Sequence, residues 1–238
     1  KSSAPVRLFS PAGTPAQHFA QFGWTGQNMT LPDARTVWSA PAAAKLTPAT
    51  PVTLGWTSPQ GLRFAITYAI DKDYMITATQ SVANLGAAPV TFRPFGLINR
   101  TSRTASIDGF NVHSGPFGAF DGAVRFDPNY DDIDEAKQVP GEGKADWIGF
   151  TDVYWMSALI PDGAATQASF RALGDALYRA DLIYGAVTVA PETPTPVIGV
   201  PVSPAPSTPY LELRASAPRQ RCQCRYCRPV PLRSRLER

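Results

Sequence analysis

Cysteine is missing from almost the whole chain: Cys222, Cys224 and Cys227 all fall close to its end. The body can therefore hold neither a disulfide framework nor a metal site built from cysteines, and it suits an oxidising compartment. Long apolar runs are missing as well. The longest candidate, Leu182–Ala190, falls short of the roughly 20 residues that a helix needs to cross a bilayer. A large single-sign charge is lacking too, once the chain is divided. From residue 191 onward eight arginines face three glutamates, a surplus of five against +3 for the whole chain, which leaves residues 1–190 near −2. That balance excludes a nucleic-acid-binding body and confines the basicity to the end of the chain. The sequence opens at Lys1 with no initiator methionine and no signal segment, so it reads as an internal piece of something longer.

What is there is alternation. Leu62, Phe64, Ile66 and Tyr68 share one side of a strand, with Arg63 and Thr67 on the other. Asp71-Lys72-Asp73 supplies a turn, Tyr74–Val82 a second strand, Asn84-Leu85-Gly86 a second turn, and Val90–Ile98 a third strand. Pro94 inside the third run predicts a bulge or an edge. Further strands are expected at Val52–Trp56, Asp146–Phe150, Val153–Ile160, Ala168–Leu173 and Ala176–Leu182, the last two forming a hairpin about Gly174-Asp175. Residues 170–181 also fit a helix through Phe170, Leu173, Leu177 and Ala180. Together these features predict an all-β domain over residues 1–190, two antiparallel sheets packed as a β-sandwich. Residues 191–238 hold ten prolines, many arginines and few aromatics, and are expected to be a disordered tail.

Several residue groups carry chemistry worth weighing. Cys222, Cys224 and Cys227 lack the fourth ligand that zinc wants, since neither His18 nor His113 lies nearby in sequence; surrounding arginines favour oxidation of the thiols instead. Asp127, Asp131, Asp132, Asp134 and Glu135 suggest a calcium loop, but Asp132 stands where the loop needs glycine and Gln138 where it needs glutamate. A solvated acidic loop fits better. His113-Ser114 near Asp108 suggests nucleophilic catalysis, yet no nucleophile elbow is present. Gly115, Gly118 and Gly122 lack the Lys-Ser/Thr of a phosphate loop and read as turn or positive-φ residues. Phe117, Phe120, Trp147 and Trp155 read as core. No catalytic, cofactor-binding or metal-binding residue is assigned.

Taken in order, Pro5–Gly13, Phe22–Trp24, Leu31–Asp33, Thr36–Trp38, Leu62–Phe64, Tyr74–Val82, Phe95–Leu97 and His113–Gly122 resemble the large periplasmic domain of the YidC membrane protein insertases, alphaproteobacterial ones especially. So do Tyr130–Asp132, Trp147–Trp155, Ala158–Asp162, Tyr178–Asp181 and Val187–Pro191. The resemblance implies a twisted sandwich of the galactose-mutarotase-like supersandwich type, in the periplasm between the first two membrane helices of an inner-membrane protein. It implies a non-enzymatic accessory to membrane protein insertion without cofactor or metal. The expected partners are the Sec translocon, its accessory subunits and nascent membrane proteins. The family's working arginine lies among membrane helices, so no residue here takes that role. Family members continue past the position of Pro191 with another strand and a return to the membrane, which marks the tail as a departure, expected to be out of frame and to leave a sheet edge open. The same sandwich type hosts sugar-binding modules and aldose epimerases, the latter needing a histidine and a glutamate that converge; His18, His113, Glu135 and Glu142 are the candidates.

Overall fold

A computed structural model describes residues 8–72, 75–105, 113–152, 155–163, 165–192 and 210–216. The strands are β1 (His18–Gly26), β2 (Val52–Thr57), β3 (Leu62–Ile70), β4 (Met75–Asn84), β5 (Val90–Thr101), β6 (Gly115–Phe120) and β7 (Ala123–Arg125). After the helix α1 (Tyr130–Ala136) follow β8 (Gln138–Pro140), β9 (Ala145–Thr151), β10 (Met156–Pro161), β11 (Ala165–Gly174), β12 (Leu177–Tyr184), β13 (Val187–Val189) and β14 (Tyr210–Ser216). They form two antiparallel sheets. One runs β1-β5-β12-β11-β8 with β13 also on β5; the other runs β2-β3-β4-β14-β10-β9-β6-β7.

The expected alternation is what faces the two sheets together. On β3, Leu62, Phe64 and Ile66 are buried while Arg63 is exposed, and across the interior stand Phe22, Trp24, Ile98, Phe170, Ala180 and Leu182 from the six-stranded sheet. Period-2 strands bury one row each, and two such rows make the core of a sandwich. The ambiguous stretch 170–181 resolves as a hairpin. Gly174 pairs with Leu177, and the intervening Asp175 and Ala176 both have positive φ, +52° and +58°, as a tight two-residue turn between right-twisted strands requires.

Pro94 sits where the ladder on one side of β5 slips by one residue, a bulge-type offset, and not on the outer edge of the sheet. Strand β5 is flanked by β1 on one side, while on the other β12 pairs only as far as Phe95 and β13 only from Phe92. Pro94 falls in that gap, where no ladder donor is wanted. The strand expected at Val153–Ile160 begins only at Met156, and residues 153–154 lie outside the described residues. Strands β1, β6, β7, β8, β13 and β14 were not foreseen as strands.

Helix α1 closes one end of the core. Asn129 and Asp132 cap it reciprocally, each side chain accepting from the other's backbone N–H, and Ile133 is fully buried. Tyr130 at its start lies 4.4 Å from the Tyr178 ring and stacks at 6.4 Å on Phe150.

The tail is not wholly without structure. Residues 193–209 and 217–238 lie outside the described residues, but Tyr210–Ser216 pairs with β4 on one side and β10 on the other. Leu211 and Leu213 stand opposite Ala78 and Ile76 and opposite Pro161 and Leu159. The sequence Leu211-Glu212-Leu213-Arg214-Ala215 has the alternation that the slot between those strands demands, which the abundance of proline and arginine around it obscured. The edge expected to stand open is occupied.

Strands β9 and β10 approach so closely at Gly149 that a Cβ there would come 2.0 Å from the carbonyl oxygen of Ser157 and 2.7 Å from Cα of Ala158. Neither is a side-chain end that could swing away. Gly149→Ala should destabilise the domain by several times the roughly 0.5 kcal/mol of an ordinary surface change, read as a lower urea midpoint; an unchanged midpoint would refute the close approach.

Candidate functional site

Alternation along β5 has a consequence for chemistry. Phe92 and Ile98 face the core, so Arg100, at the same parity, faces it too. A guanidinium cannot lose its proton there and must be met by a carboxylate. The carboxylate comes from the other sheet: Arg100 Nη2 donates to Asp152 Oδ2 at 2.5 Å, just beyond the end of β9. His18 stands directly opposite Arg100 on β1 and Tyr178 opposite it on β12. Ser114 Oγ donates to the other Asp152 oxygen at 3.4 Å.

His18 bridges the sheets a second time, with Nε2 at 2.8 Å from Ser157 Oγ on β10. Its Nδ1 lies 3.5 Å from Arg100 Nη1. A guanidinium only donates, so Nδ1 accepts at that contact, while the direction of the Ser157 contact follows the ring's tautomer. Burial, with the Arg100 charge adding to it, holds the His18 pKa down at about 4.

A histidine at hydrogen-bond distance from a serine invites comparison with a nucleophilic pair, and the geometry argues against it. Ser157 is 0 % and His18 5 % exposed, so no substrate reaches them. The group behind the imidazole is a cation, which weakens it as a base, the reverse of the carboxylate that orients a catalytic histidine. The cluster holds the two sheets in register.

The residues singled out from sequence are dispersed or engaged. His113 Nε2 contacts the Pro116 carbonyl oxygen at 2.9 Å and its ring meets Phe126 edge-on, while Ser114 turns to Asp152; Asp108 lies outside the described residues. Asp132 serves the cap of α1, Asp134 accepts the Tyr178 hydroxyl at 2.5 Å, and Asp131 and Glu135 are exposed helix positions; the expected loop is a helix. Asp127 precedes Pro128 through a cis bond. Of the glycines, Gly122 has the expected positive φ in the turn between β6 and β7, but Gly118 is mid-strand, where a Cβ would come 3.0 Å from the Trp147 carbonyl oxygen. Of the aromatics, Phe120 belongs to the core cluster. Phe117 is buried on the opposite face of its sheet against half-buried Trp147, ring centroids 4.6 Å apart, and Trp155 is half-buried outside that cluster. Cys222, Cys224 and Cys227 lie outside the described residues. For an epimerase, His18 is sealed away, and Glu135 and Glu142 are both exposed.

The Arg100 cluster escaped sequence reading, although the parity of Phe92, Ile98 and Arg100 was a usable signal. A second polar set lies on the outward face of the six-stranded sheet. Ser169 Oγ donates to Asp181 Oδ1 at 2.8 Å, Arg171 Nε to Asp181 Oδ2 at 2.7 Å, and Arg179 Nε to Asn99 Oδ1 at 3.0 Å.

Because folded His18 titrates near 4 and an unfolded histidine near 6.5, the unfolded chain takes up the extra proton between those values. This contribution is complete above about pH 6.5 and lost as pH falls toward 4, on the order of 3 kcal/mol in all. Urea unfolding of the native chain and of His18→Gln across that window should show a flatter pH slope in the variant; equal slopes would exclude His18 as the titrating group.

Comparison with known proteins agrees with this architecture. A solved protein of Synechocystis sp. PCC 6803, Slr1438, superposes with a TM-score of 0.50 over 76% of this chain and 66% of that one at 9% identity, which shows the fold alone. Two membrane protein insertases YidC are 41% identical to it: that of Zymomonas mobilis over 194 residues, 80% of this chain and 33% of the relative, and that of Bradyrhizobium diazoefficiens over 196 residues, 79% and 31%. The chain thus spans about a third of the length of the curated relatives it matches. The family model described as the YidC periplasmic domain matches residues 1–197, and the chain belongs to that family.

Proposed function

We propose that this chain works as the periplasmic, non-catalytic accessory part of a membrane protein insertase, contributing protein contacts to the insertion and folding of inner-membrane proteins. The family match over residues 1–197 carries this reading. Supporting it, the histidine and serine that could suggest catalysis are sealed between the sheets and tied to an ion pair. Among the described residues no helix is long and apolar enough to cross a membrane.

The contact surface this reading favours is the β7 edge. Among the described residues strand β7 ends the eight-stranded sheet, paired on one side only, and Val124 and Phe126 are 52% and 55% exposed. An unpaired edge with apolar flanks accepts an extended segment by strand addition. The partners that fit are nascent membrane proteins and the accessory subunits of the Sec translocon.

A photo-crosslinking residue at Val124 should capture Sec accessory subunits or nascent inner-membrane proteins in intact cells, whereas one at exposed Lys45, away from any named strand, should not. Equal or absent capture at both positions would sink the edge as the contact surface.

A further inference from the structure

The outward face of the six-stranded sheet has cross-strand rows fixed by register. One row reads Phe19, Asn99, Arg179, Arg171, Gln138; the next reads Gln21, Leu97, Asp181, Ser169, Pro140. Arg171 and Arg179 are direct cross-strand neighbours, with Cβ atoms about 5 Å apart by strand geometry. Like charges placed so are unfavourable, and both side chains are partly buried. Asp181 hydrogen-bonds Arg171 and acts on Arg179 only as a nearby charge.

The hydrogen bonds leave a specific residue of binding capacity. Arg171 is pinned at Nε by Asp181 and Ser169, and Arg179 at Nε by Asn99. Among the described residues no acceptor meets the terminal nitrogens of either guanidinium. Both guanidiniums are thus anchored at Nε, and pinning reduces the rotamer entropy a ligand must otherwise overcome. Beside Arg171 lies a cavity of about 310 Å³ lined by Gln138, Gly141, Gly143, Gln167 and Ser169 as well. Its size suits a small ligand, and its other side chains offer neutral hydrogen-bond groups. Burial pulls the Arg179 pKa below its ordinary value, opposed by Asp181 and reinforced by Arg171, so an added anion would relieve the pair.

We propose that Arg171 and Arg179 form an oxyanion site that takes a carboxylate across the two guanidinium forks, with the neighbouring cavity holding the rest of the ligand. The site is independent of the β7 edge and of the insertase role. The carboxylate can come from a free organic acid or from the acidic side chain of a polypeptide, and the chemistry at the forks is the same.

The test is titration of the protein, labelled with ¹⁵N at the arginine Nε, with citrate and separately with a hexaglutamate peptide at constant ionic strength. Saturable shifts of the Arg171 and Arg179 signals are expected, with affinity reduced about tenfold or more in Arg179→Gln, since a lost charge-assisted contact is worth about that factor. Arg171→Gln serves as the second variant, and an unchanged thermal midpoint in either establishes that the fold is intact. Tighter binding of citrate identifies a free acid as the source, and tighter binding of the peptide identifies a polypeptide; both support the site. Linear, unsaturating shifts with both probes, or saturable binding that survives both substitutions, would overturn it.

Discussion

A guanidinium inside a sandwich leaves the fold little freedom. Arg100 occupies a core-facing position of β5 and brings a positive charge with it, so the sheet opposite must deliver Asp152 to within hydrogen-bond distance. Removing one member of such a pair costs roughly 3–5 kcal/mol, because the survivor is left charged and buried. The neighbouring contacts follow from this one. His18 is kept neutral by burial and the neighbouring cation, and its hydrogen bond with Ser157 adds a second tie, between β1 and β10. Gln80, reaching from β4 to the Gly23 carbonyl at 2.7 Å, adds a third. Apolar packing drives the sheets together without direction, whereas these polar links choose one relative placement.

The same strands carry a different chemistry on their other face. At neighbouring positions of β5, Arg100 points into the sandwich and Asn99 outward to Arg179. The inward-facing charge of Arg100 is paired because burial demands it; on the outward face Asp181 bonds Arg171, and Asn99 bonds Arg179. A rigid sheet with a locked interior is a suitable platform for contacts made on its surface and edges.

Strand β14 shows how tolerant the scaffold is. It lies beyond residues 1–197, the part matched by the family model, yet it links β4 to β10, which do not otherwise pair. A gap between two strands asks only for backbone hydrogen bonds and an alternating segment of the right length, and Tyr210–Ser216 meets both conditions. Family sequence and fold completion are therefore separable in this chain.

Much of the architecture was legible in the amino-acid order because its cause is local. Leu62–Tyr68, Val90–Ile98 and the hairpin about Asp175 announce themselves through side-chain period and turn residues, and the ordered motifs from Phe22–Trp24 to Tyr178–Asp181 carried the family. Strand β6 did not, since Gly115-Pro116-Phe117-Gly118 reads as turn chemistry until Gly118 and Gly149 are seen to permit close backbone approach in the sheet. Nor could the order of residues show that His18, Arg100, Asp152 and Ser157 meet, or that Arg171 and Arg179 stand side by side at the surface. Period and propensity act over a few residues and determine which elements form; cross-strand register and the packing of sheet on sheet join residues up to 139 positions apart, and only the tertiary structure decides which of them touch.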